Sequence, residues 1–255
     1  MSLPQFPPKM TSLPTLRALD ILLKNNKVDS LAELPKPPKY CILSPSPKVR
    51  ELIKKKMALT EGPNVITPVY IHEDKLAVYT GFIGFGSPMW VWALEQLIAW
   101  GVTDFIFIGW FGKVNPLIQN SKIFAVAKAL RDEGTSYHYS DSPDRWSYPD
   151  SVMTAKMLEM GAKPISIWTT DAMFRQTSAE IDYAVASNIA GFEMECSALF
   201  TVARYFECNM ASIQMVSDYY IDGKYESIYA TNQFALRLKQ AVEMALTVCG
   251  TKVKN

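Results

Sequence analysis

Two acidic stretches in the second half of the chain carry the residue types that sugar binding and acid–base chemistry require. Gly191-Phe192-Glu193-Met194-Glu195 reads as a short buried strand that ends in two carboxylates, and Val216-Ser217-Asp218 closes a second apolar run. After Cys196, apolar residues recur at the spacing of one helical face, at Leu199, Val202, Ala203 and Phe206. This pattern places Glu195 at a helix N-terminus, where negative charge is favoured and a carboxylate can accept hydrogen bonds from sugar hydroxyls.

The order strand, helix, strand, with polar residues at both strand exits, is how open α/β sheets present ligands at their carboxyl ends. Met194, between the two glutamates, offers an adaptable apolar surface for a ligand ring. The plainer alternative is that Glu193 and Glu195 are the acidic first turn of an ordinary helix, because helix starts are acidic in general.

The apolar patterns predict an α/β chain that could hold these residues in place. Continuous runs predict buried strands at 40–43, 105–109, 122–128, 165–168 and 211–216, and a hairpin is predicted from 65–70 with 75–80. Helical spacing predicts helices at 16–23, 49–57, 89–100, 153–160, 178–187 and about 231–248. A Tyr-rich loop is expected after Asp218.

Composition narrows the possible partners. The 255 residues include 26 basic and 25 acidic side chains, a formal net charge of +1 that gives no electrostatic footprint for nucleic acid or an anionic membrane. The cysteines are far apart and follow no metal-ligand spacing, which indicates reduced core residues of a cytoplasmic protein. No stretch is apolar for long enough to span a membrane, and the N-terminus lacks a signal-peptide core. We expect a small-molecule ligand and no metal or cofactor.

Residues 1–39 differ from the rest because prolines flank a single helical pattern. They are interpreted as an N-terminal arm, which could be a lid or subunit clasp, or a surface arm without chemistry. Residues 40–255 show no further boundary and are predicted to form one domain.

Several further candidate ligand-binding residues lie at predicted strand exits or in polar loops. Aromatic rings surround two Gly-containing turns, with Phe85 in Gly84-Phe85-Gly86 and Trp110 and Phe111 after the strand 105–109. Arg131 and His138 belong to a polar cluster, whose plainer interpretation is an Arg-Asp-Glu group that ties loops together. Asp171 is interpreted as a cap for the segment that follows it.

Taken in order, these pieces resemble the nucleoside phosphorylase superfamily, which includes purine nucleoside phosphorylase, uridine phosphorylase and the methylthioadenosine nucleosidases. The resemblance runs from about 40 to 248. It rests on Gly84-Phe85-Gly86-Ser87-Pro88, the Gly109-x-x-Gly112 turn, Arg131 to Ser136, Thr170 to Phe174, Phe192 to Glu195 and Val216-Ser217-Asp218. It implies a single three-layer α/β/α domain with a mixed, partly barrel-like central sheet. It also implies an active site near a subunit interface in a homo-oligomer, whether a dimer, trimer or hexamer.

Family roles transfer onto matching positions. Glu195 resembles the glutamate that holds the ribose hydroxyls, with Met194 against the sugar and Glu193 beside them. Asp218 resembles the acid that protonates the leaving base. The base pocket would be lined by Phe192, by Met173 or Phe174, and by Arg175 at a polar edge.

The phosphate-binding positions depart from the family pattern. The places of the phosphate arginine and hydroxyl are taken by Phe107 and Trp110, and the glycine-rich first loop is Ser44-Pro45-Ser46-Pro47. Because a phosphate among aromatic rings without a cation is strongly disfavoured, phosphorolysis is not expected. The acid that nucleosidases carry in the first loop is also missing from 41–50.

Three hypotheses follow. The first is an enzyme that acts on the N-glycosidic bond of a nucleoside or related ligand, with another nucleophile placed by groups such as His138 or Arg131. The second is a scaffold repurposed for acid–base chemistry, an isomerisation or cyclisation, on a more apolar substrate bound among Phe85, Phe107, Trp110 and Phe111. The third is a non-catalytic binding or storage protein.

Overall fold

The computed structural model describes residues 13–73, 75–81, 84–221 and 223–251, without the side chain of residue 221. The strands are β1 Tyr40–Ser44, β2 Thr60–Asn64, β3 Pro68–His72, β4 Leu76–Thr80, β5 Asp104–Lys113, β6 Phe124–Asp132, β7 Trp146–Ser147, β8 Lys163–Thr170, β9 Ile189–Glu193, β10 Asn209–Ile221 and β11 Lys224–Ser227. The α-helices are α1 Ala18–Asn26, α2 Pro47–Lys54, α3 Ser87–Trp100, α4 Ser151–Glu159, α5 Ser178–Ala186, α6 Cys196–Tyr205 and α7 Asn232–Val248.

Five strands of the single mixed sheet close into a barrel. β5 pairs with β10 and β9, β10 pairs with β6, and β8 joins β6 to β9. From β5 the sheet continues outward through β1, β4, β3 and β2. β5 is apolar on both faces because it is covered on both, as its continuous hydrophobic run predicts.

Helices cover both faces of this sheet. α1, α3 and α6 share one hydrophobic core with one face, whereas α2, α4 and α7 share another core with the opposite face. The structure therefore confirms the expected α/β/α layering and the partly barrel-like sheet.

Most predicted elements are present, with shifted ends. The predicted hairpin is β3 with β4, which begins at Pro68 and not at residue 65. The Tyr-rich segment after Asp218 was predicted as a loop, and this prediction is wrong. β10 continues to Ile221 and pairs with β11, because the tyrosines there favour the extended backbone of a hairpin.

The described part of the N-terminal arm packs closely on the domain. Leu22 of α1 is fully buried in the core shared with α3. The Asn26 side chain accepts a hydrogen bond from the backbone N–H of Asn64 at 2.7 Å and donates to its carbonyl at 2.9 Å. Trp100 Nε1 donates to the Pro35 carbonyl at 2.8 Å. The arm is thus joined to β2 and α3, and residues 1–12 lie outside the described residues.

No helix in the described part of the chain is long and apolar enough to cross a bilayer. Among the same residues, no group of three or more His, Cys, Asp or Glu side chains could hold a metal ion.

Candidate active site

Glu193 caps helix α6. One carboxylate oxygen, Oε2, accepts hydrogen bonds from the backbone N–H groups of Glu195 and Cys196, each at 2.8 Å, and the other accepts from the Thr169 hydroxyl. These contacts satisfy N–H groups that an α-helix leaves free at its start. Burial raises the pKa of Glu193. Its position at the helix start matches the prediction, but its carboxylate is engaged in capping.

Glu195 occupies the N-cap position of α6, as predicted, but its own side chain does not cap the helix. Its Oε1 instead accepts a 2.7 Å hydrogen bond from the backbone N–H of Gly86. The carboxyl group is almost entirely buried, and this burial, together with the charge of Glu193, raises the pKa of Glu195 to about 8. A buried carboxyl group poised near neutral pH is typical of a functional site.

The loop before α3 brings Met194 and Glu195 together with Gly86. Gly86 has a φ of 92°, a conformation that favours glycine. Ser87 Oγ donates to the Met194 carbonyl at 2.8 Å, and Met194 Cε lies 3.9 Å from the place of a Cβ on Gly86. The motif Gly84-Phe85-Gly86-Ser87 therefore supports the start of α6, and Phe85 is 55% exposed on this loop.

Asp218 lies over a glycine at the mouth of the barrel. A bulge in β10 between Val216 and Asp218 brings Asp218 beside Gly112 of β5, which on its other side pairs with Phe192 of β9. Paired residues of neighbouring strands carry their side chains on the same face. A Cβ on Gly112 would lie 2.9 Å from Asp218 Oδ2, so the missing side chain is what gives the carboxylate its place.

On the side of Gly112 opposite to Asp218, the neighbouring strands β9 and β8 carry aromatic rings. Phe192 packs against Trp168 of β8, with ring centroids 5.1 Å apart. Trp168 Nε1 donates to Asp132 Oδ2 at 2.9 Å. The position above Gly112 is thus bordered by the Asp218 carboxylate on one side and by the Phe192 pair on the other.

The exit of β8 places three predicted ligand-binding residues at the surface. Met173, Phe174 and Arg175 form a short 3-10 helix, in which Met173 is 50% and Phe174 96% exposed. Asp171 does not cap this helix as predicted, because its Oδ2 accepts from the backbone N–H of Gly134 at 2.8 Å.

Comparison with known proteins decides the family. The family model of the phosphorylase superfamily matches residues 39–249. The chain belongs to this superfamily. Uridine phosphorylase from Vibrio fischeri ES114 has a similar fold, with a TM-score of 0.68 and 22% identity over 84% of this chain and 93% of that one. The family resemblance on which the sequence interpretation rests is confirmed.

Curated relatives match over shorter spans. The guanosine phosphorylase of Halorubrum lacusprofundi is 23% identical over 65% of this chain and 70% of its own length. An uncharacterized protein of Acanthamoeba polyphaga mimivirus is 24% identical over 60% of this chain. The match spans 66% of that viral protein, just under two thirds of its length. Superfamily membership supports a nucleoside-processing enzyme at the level of the family.

The rings that the resemblance places at or beside the phosphate site are packed against the protein itself. Phe107 is 1% exposed and meets Trp90 edge-on, with ring centroids 5.3 Å apart. Trp110 is half-buried and packs on Tyr229 and Phe234 at the start of α7, at 5.1 and 6.1 Å. Phe111 is also 1% exposed, against Phe124 in the core. Contact of these rings with a ligand stays a prediction.

The first loop offers few donors to an anion. Pro45 and Pro47 have no backbone N–H. The N–H of Ser46, between them, donates to Ser44 Oγ at 3.3 Å. Neither this loop nor the positions of Phe107 and Trp110 supply a cationic side chain for phosphate.

Arg131 ties loops together. The guanidinium donates to Ser136 Oγ at 3.0 Å and to the carbonyls of Asp144 at 3.0 Å and Ser140 at 3.3 Å, and it lies over the Tyr137 ring. Arg131 thus ties loops together as the plainer interpretation expects, but through Ser136 and backbone carbonyls and not through the Asp132 or Glu133 side chains. His138 is exposed in the 3-10 helix Ser136–His138, and its role in catalysis stays a prediction.

Two residues that support the start of α6 were given no role there from the sequence. Glu133 accepts from the Ser197 hydroxyl of α6 at 2.9 Å, and Thr169 Oγ1 accepts from the Ser197 N–H at 3.0 Å. No spacing rule joins them, because the contacts bring together a residue just after β6, one in β8 and one in α6.

Proposed function

We propose that this protein is an enzyme that acts on the N-glycosidic bond of a nucleoside or related ligand without inorganic phosphate as the nucleophile. The observation that carries the proposal is the pair of acids at the barrel mouth. Asp218 lies over the gap at Gly112, which pairs with Phe192 of β9, and Glu195 is buried three residues after Phe192, at the start of α6.

Each acid has a role in this reaction. Glu195 and Met194 hold the sugar, while Asp218 faces the leaving base above Gly112. Cleavage of an N-glycosidic bond builds positive charge on the sugar ring, so a nearby carboxylate lowers the barrier, as does a group that hydrogen-bonds or protonates the leaving base.

The proposal that phosphate is not used rests on the surroundings of Phe107, Trp110 and Ser46. The two rings provide no cation, and the Ser46 N–H already donates within its own loop. Removing phosphate from water without a compensating charge is strongly unfavourable. Water, or a second substrate with a hydroxyl group, then serves as the nucleophile.

A second candidate is acid–base conversion of a more apolar substrate, an isomerisation or cyclisation. The exposed rings of Phe85 and Phe174 favour it, because they could cover such a substrate. Phe107 and Phe111 add nothing to it in this structure, since both are buried in the core. Non-catalytic binding or storage is the remaining outcome of the test below.

Assembly and location are also proposals. The exposed 3-10 helix at Met173 and Phe174 supports a homo-oligomer in which a second copy approaches the site. Light scattering on the purified protein tests it. A cytoplasmic location is supported by four cysteines that form no disulfide.

The experiment is release of free base from purine and pyrimidine nucleosides, with and without inorganic phosphate, followed by chromatography. We expect phosphate-independent release that falls about a hundred-fold or more in Asp218→Asn and in Glu195→Gln. Asp182→Asn, an exposed acid on α5, is the matched control and should keep full activity.

Release that requires phosphate would overturn the proposal about the nucleophile. No release from any nucleoside, combined with thermal stabilisation by apolar metabolites, would favour the second candidate. Binding of a ligand that neither variant alters would favour a non-catalytic protein.

A further inference from the structure

A cavity of about 370 Å³ lies between α2 and the first turns of α7, a volume within the range of small-molecule sites. One side of α2 contributes Lys48 and Lys55, α7 contributes Phe234 and Leu238, and the segment before α7 contributes Tyr229. Among the described residues, neither acid of the candidate active site lines the cavity, and nor does any residue of the first loop, 44–47.

The α2 side of this cavity carries positive charge that no acid balances. Lys48 and Lys55 are seven residues apart, so their backbones are separated by two helical turns, about 10 Å along the helix axis. Neither lysine forms an ion pair within the described residues. Glu51 lies between them, but its carboxylate is already 3.3 Å from Arg50 Nε and 3.7 Å from Lys54 Nζ. The two lysines are therefore available to an anionic group.

Arg237 of α7 is an independent indication that this region suits an anion. Its side chain is 3% exposed, and neither Nε nor Nη2 has a hydrogen-bond partner in the described part of the chain. A long side chain in a helix leans back over the preceding turn, which here carries Phe234 of the cavity wall. A buried cation without a partner is costly, and a negative charge in the neighbouring cavity would offset part of that cost.

The α7 side of the cavity is apolar and aromatic. Phe234 and Leu238 are 4% and 2% exposed, so their surfaces toward the cavity belong to the edge of the core. The ring of Tyr229 lies beside that of Phe234, with centroids 4.8 Å apart. A bare inorganic anion would leave this side in contact with water, whereas an apolar body would cover it.

We propose that this cavity binds a compact amphipathic anion, an aromatic or aliphatic body that carries one carboxylate or phosphate group. The body lies on Phe234, Leu238 and the Tyr229 ring. The charged group lies between Lys48 and Lys55, on the opposite side. This second site does not use Glu195 or Asp218, so its occupation is independent of the reaction proposed for them.

Calorimetric titration of the full chain with three probes of one shape tests the proposal. The probes are 2-naphthoate, its neutral amide 2-naphthamide, and 2-naphthyl phosphate, with inorganic phosphate as a fourth titrant. We expect both naphthyl anions to bind about ten-fold or more tightly than the amide, and the difference to shrink in high salt. Equal binding of naphthoate and naphthamide would overturn the proposal. Binding of inorganic phosphate as tight as that of naphthyl phosphate would also overturn it, because the apolar wall would then contribute nothing.

Variants locate the bound probe. The double variant Lys48→Gln/Lys55→Gln should reduce naphthoate binding to the level of the amide, whereas Lys156→Gln, at an exposed lysine of α4, should leave it unchanged. Ala235→Phe, at an exposed position that lines the cavity, should fill it and abolish binding of both naphthyl anions with little effect on the fold. Asp218→Asn should bind naphthoate as the wild type does. Binding that survives Ala235→Phe, or that is lost in Asp218→Asn, would place the probe elsewhere and overturn the proposal.

Discussion

The backbone N–H of Gly86 donates a 2.7 Å hydrogen bond to Oε1 of Glu195, which joins the loop before α3 to the N-cap residue of α6. The bond holds an acidic side chain inside the protein, where ionisation is costly. Site geometry and protein stability are therefore linked through one carboxyl group.

Glu195→Gln should stabilise the protein at alkaline pH. The pKa of Glu195 rises from 4.5 to about 8 on folding, so between these values the folded state holds a proton that the unfolded state has lost. Stability then falls as pH rises through this window, by a few kcal/mol at most. The Glu195→Gln variant should not lose stability in this way as the pH rises.

Thermal unfolding of both proteins between pH 5 and 9 measures the difference. We expect similar melting temperatures at the acidic end and a higher one for the variant at the alkaline end. Glu159→Gln is the exposed control and should follow the wild type. Parallel curves for Glu195→Gln and wild type would show that the carboxyl group titrates normally.

Gly112→Ala should impair activity far more than stability. The new methyl group would lie 2.9 Å from Asp218 Oδ2, so the carboxylate must move from the gap. Misplacing a reacting group by about 1 Å can cost roughly a hundred-fold in rate. Gly134→Ala is the control, because its methyl group would meet Asp171 Oδ2 at an ordinary 3.6 Å. Base release assays and melting temperatures on both variants decide the matter, and equal activities would contradict the placement of Asp218.

Trp110→Ser should lose stability without gaining phosphate dependence. The indole packs on Tyr229 and Phe234, and removing such a ring costs about 3 kcal/mol. The new hydroxyl resembles that of the phosphorylases, but Phe107 still supplies no cation. Urea unfolding and base release with added phosphate are the measurements. Trp92→Ser, at a ring that is 50% exposed, should cost less. Stimulation by phosphate in the Trp110 variant would show that one ring alone blocks the anion.

Phe174→Ala should leave the melting temperature nearly unchanged and raise KM. The ring is 96% exposed, so its removal costs the folded monomer within about 0.5 kcal/mol. If the ring covers the ligand, substrate binding weakens. Leu117→Ala, at another exposed apolar side chain, should change neither quantity. An unchanged KM would remove Phe174 from the substrate pocket.

Sequence patterns predicted the elements that depend on long apolar periodicity. The strand that ends at Glu193, the helix α6 after it and the long helix α7 are all present because each buries a hydrophobic face. The expected common edge for Glu195 and Asp218 is not found, because β10 runs parallel to β5 whereas β9 runs antiparallel to it.

Other features depend on contacts that periodicity cannot show. The sequence places two glutamates at one helix start, but only the turn of the backbone decides that Glu193 caps the helix and Glu195 reaches Gly86. Asp171 looked like a local cap, whereas its partner is the distant Gly134. The strand after Asp218 was missed because tyrosines on an exposed hairpin carry no alternating apolar signal.

The packing of α1 against the domain has a consequence for truncated forms of the chain. The superfamily match begins at residue 39, yet Leu22 is fully buried and Asn26 bonds to both backbone groups of Asn64. A polypeptide that starts at Tyr40 would lack α1, so the apolar surface of α3 that α1 covers would be exposed to water. The edge strand β2 would also lose its hydrogen bonds to Asn26. Such a fragment should aggregate during expression, even though it still contains Glu193, Glu195 and Asp218.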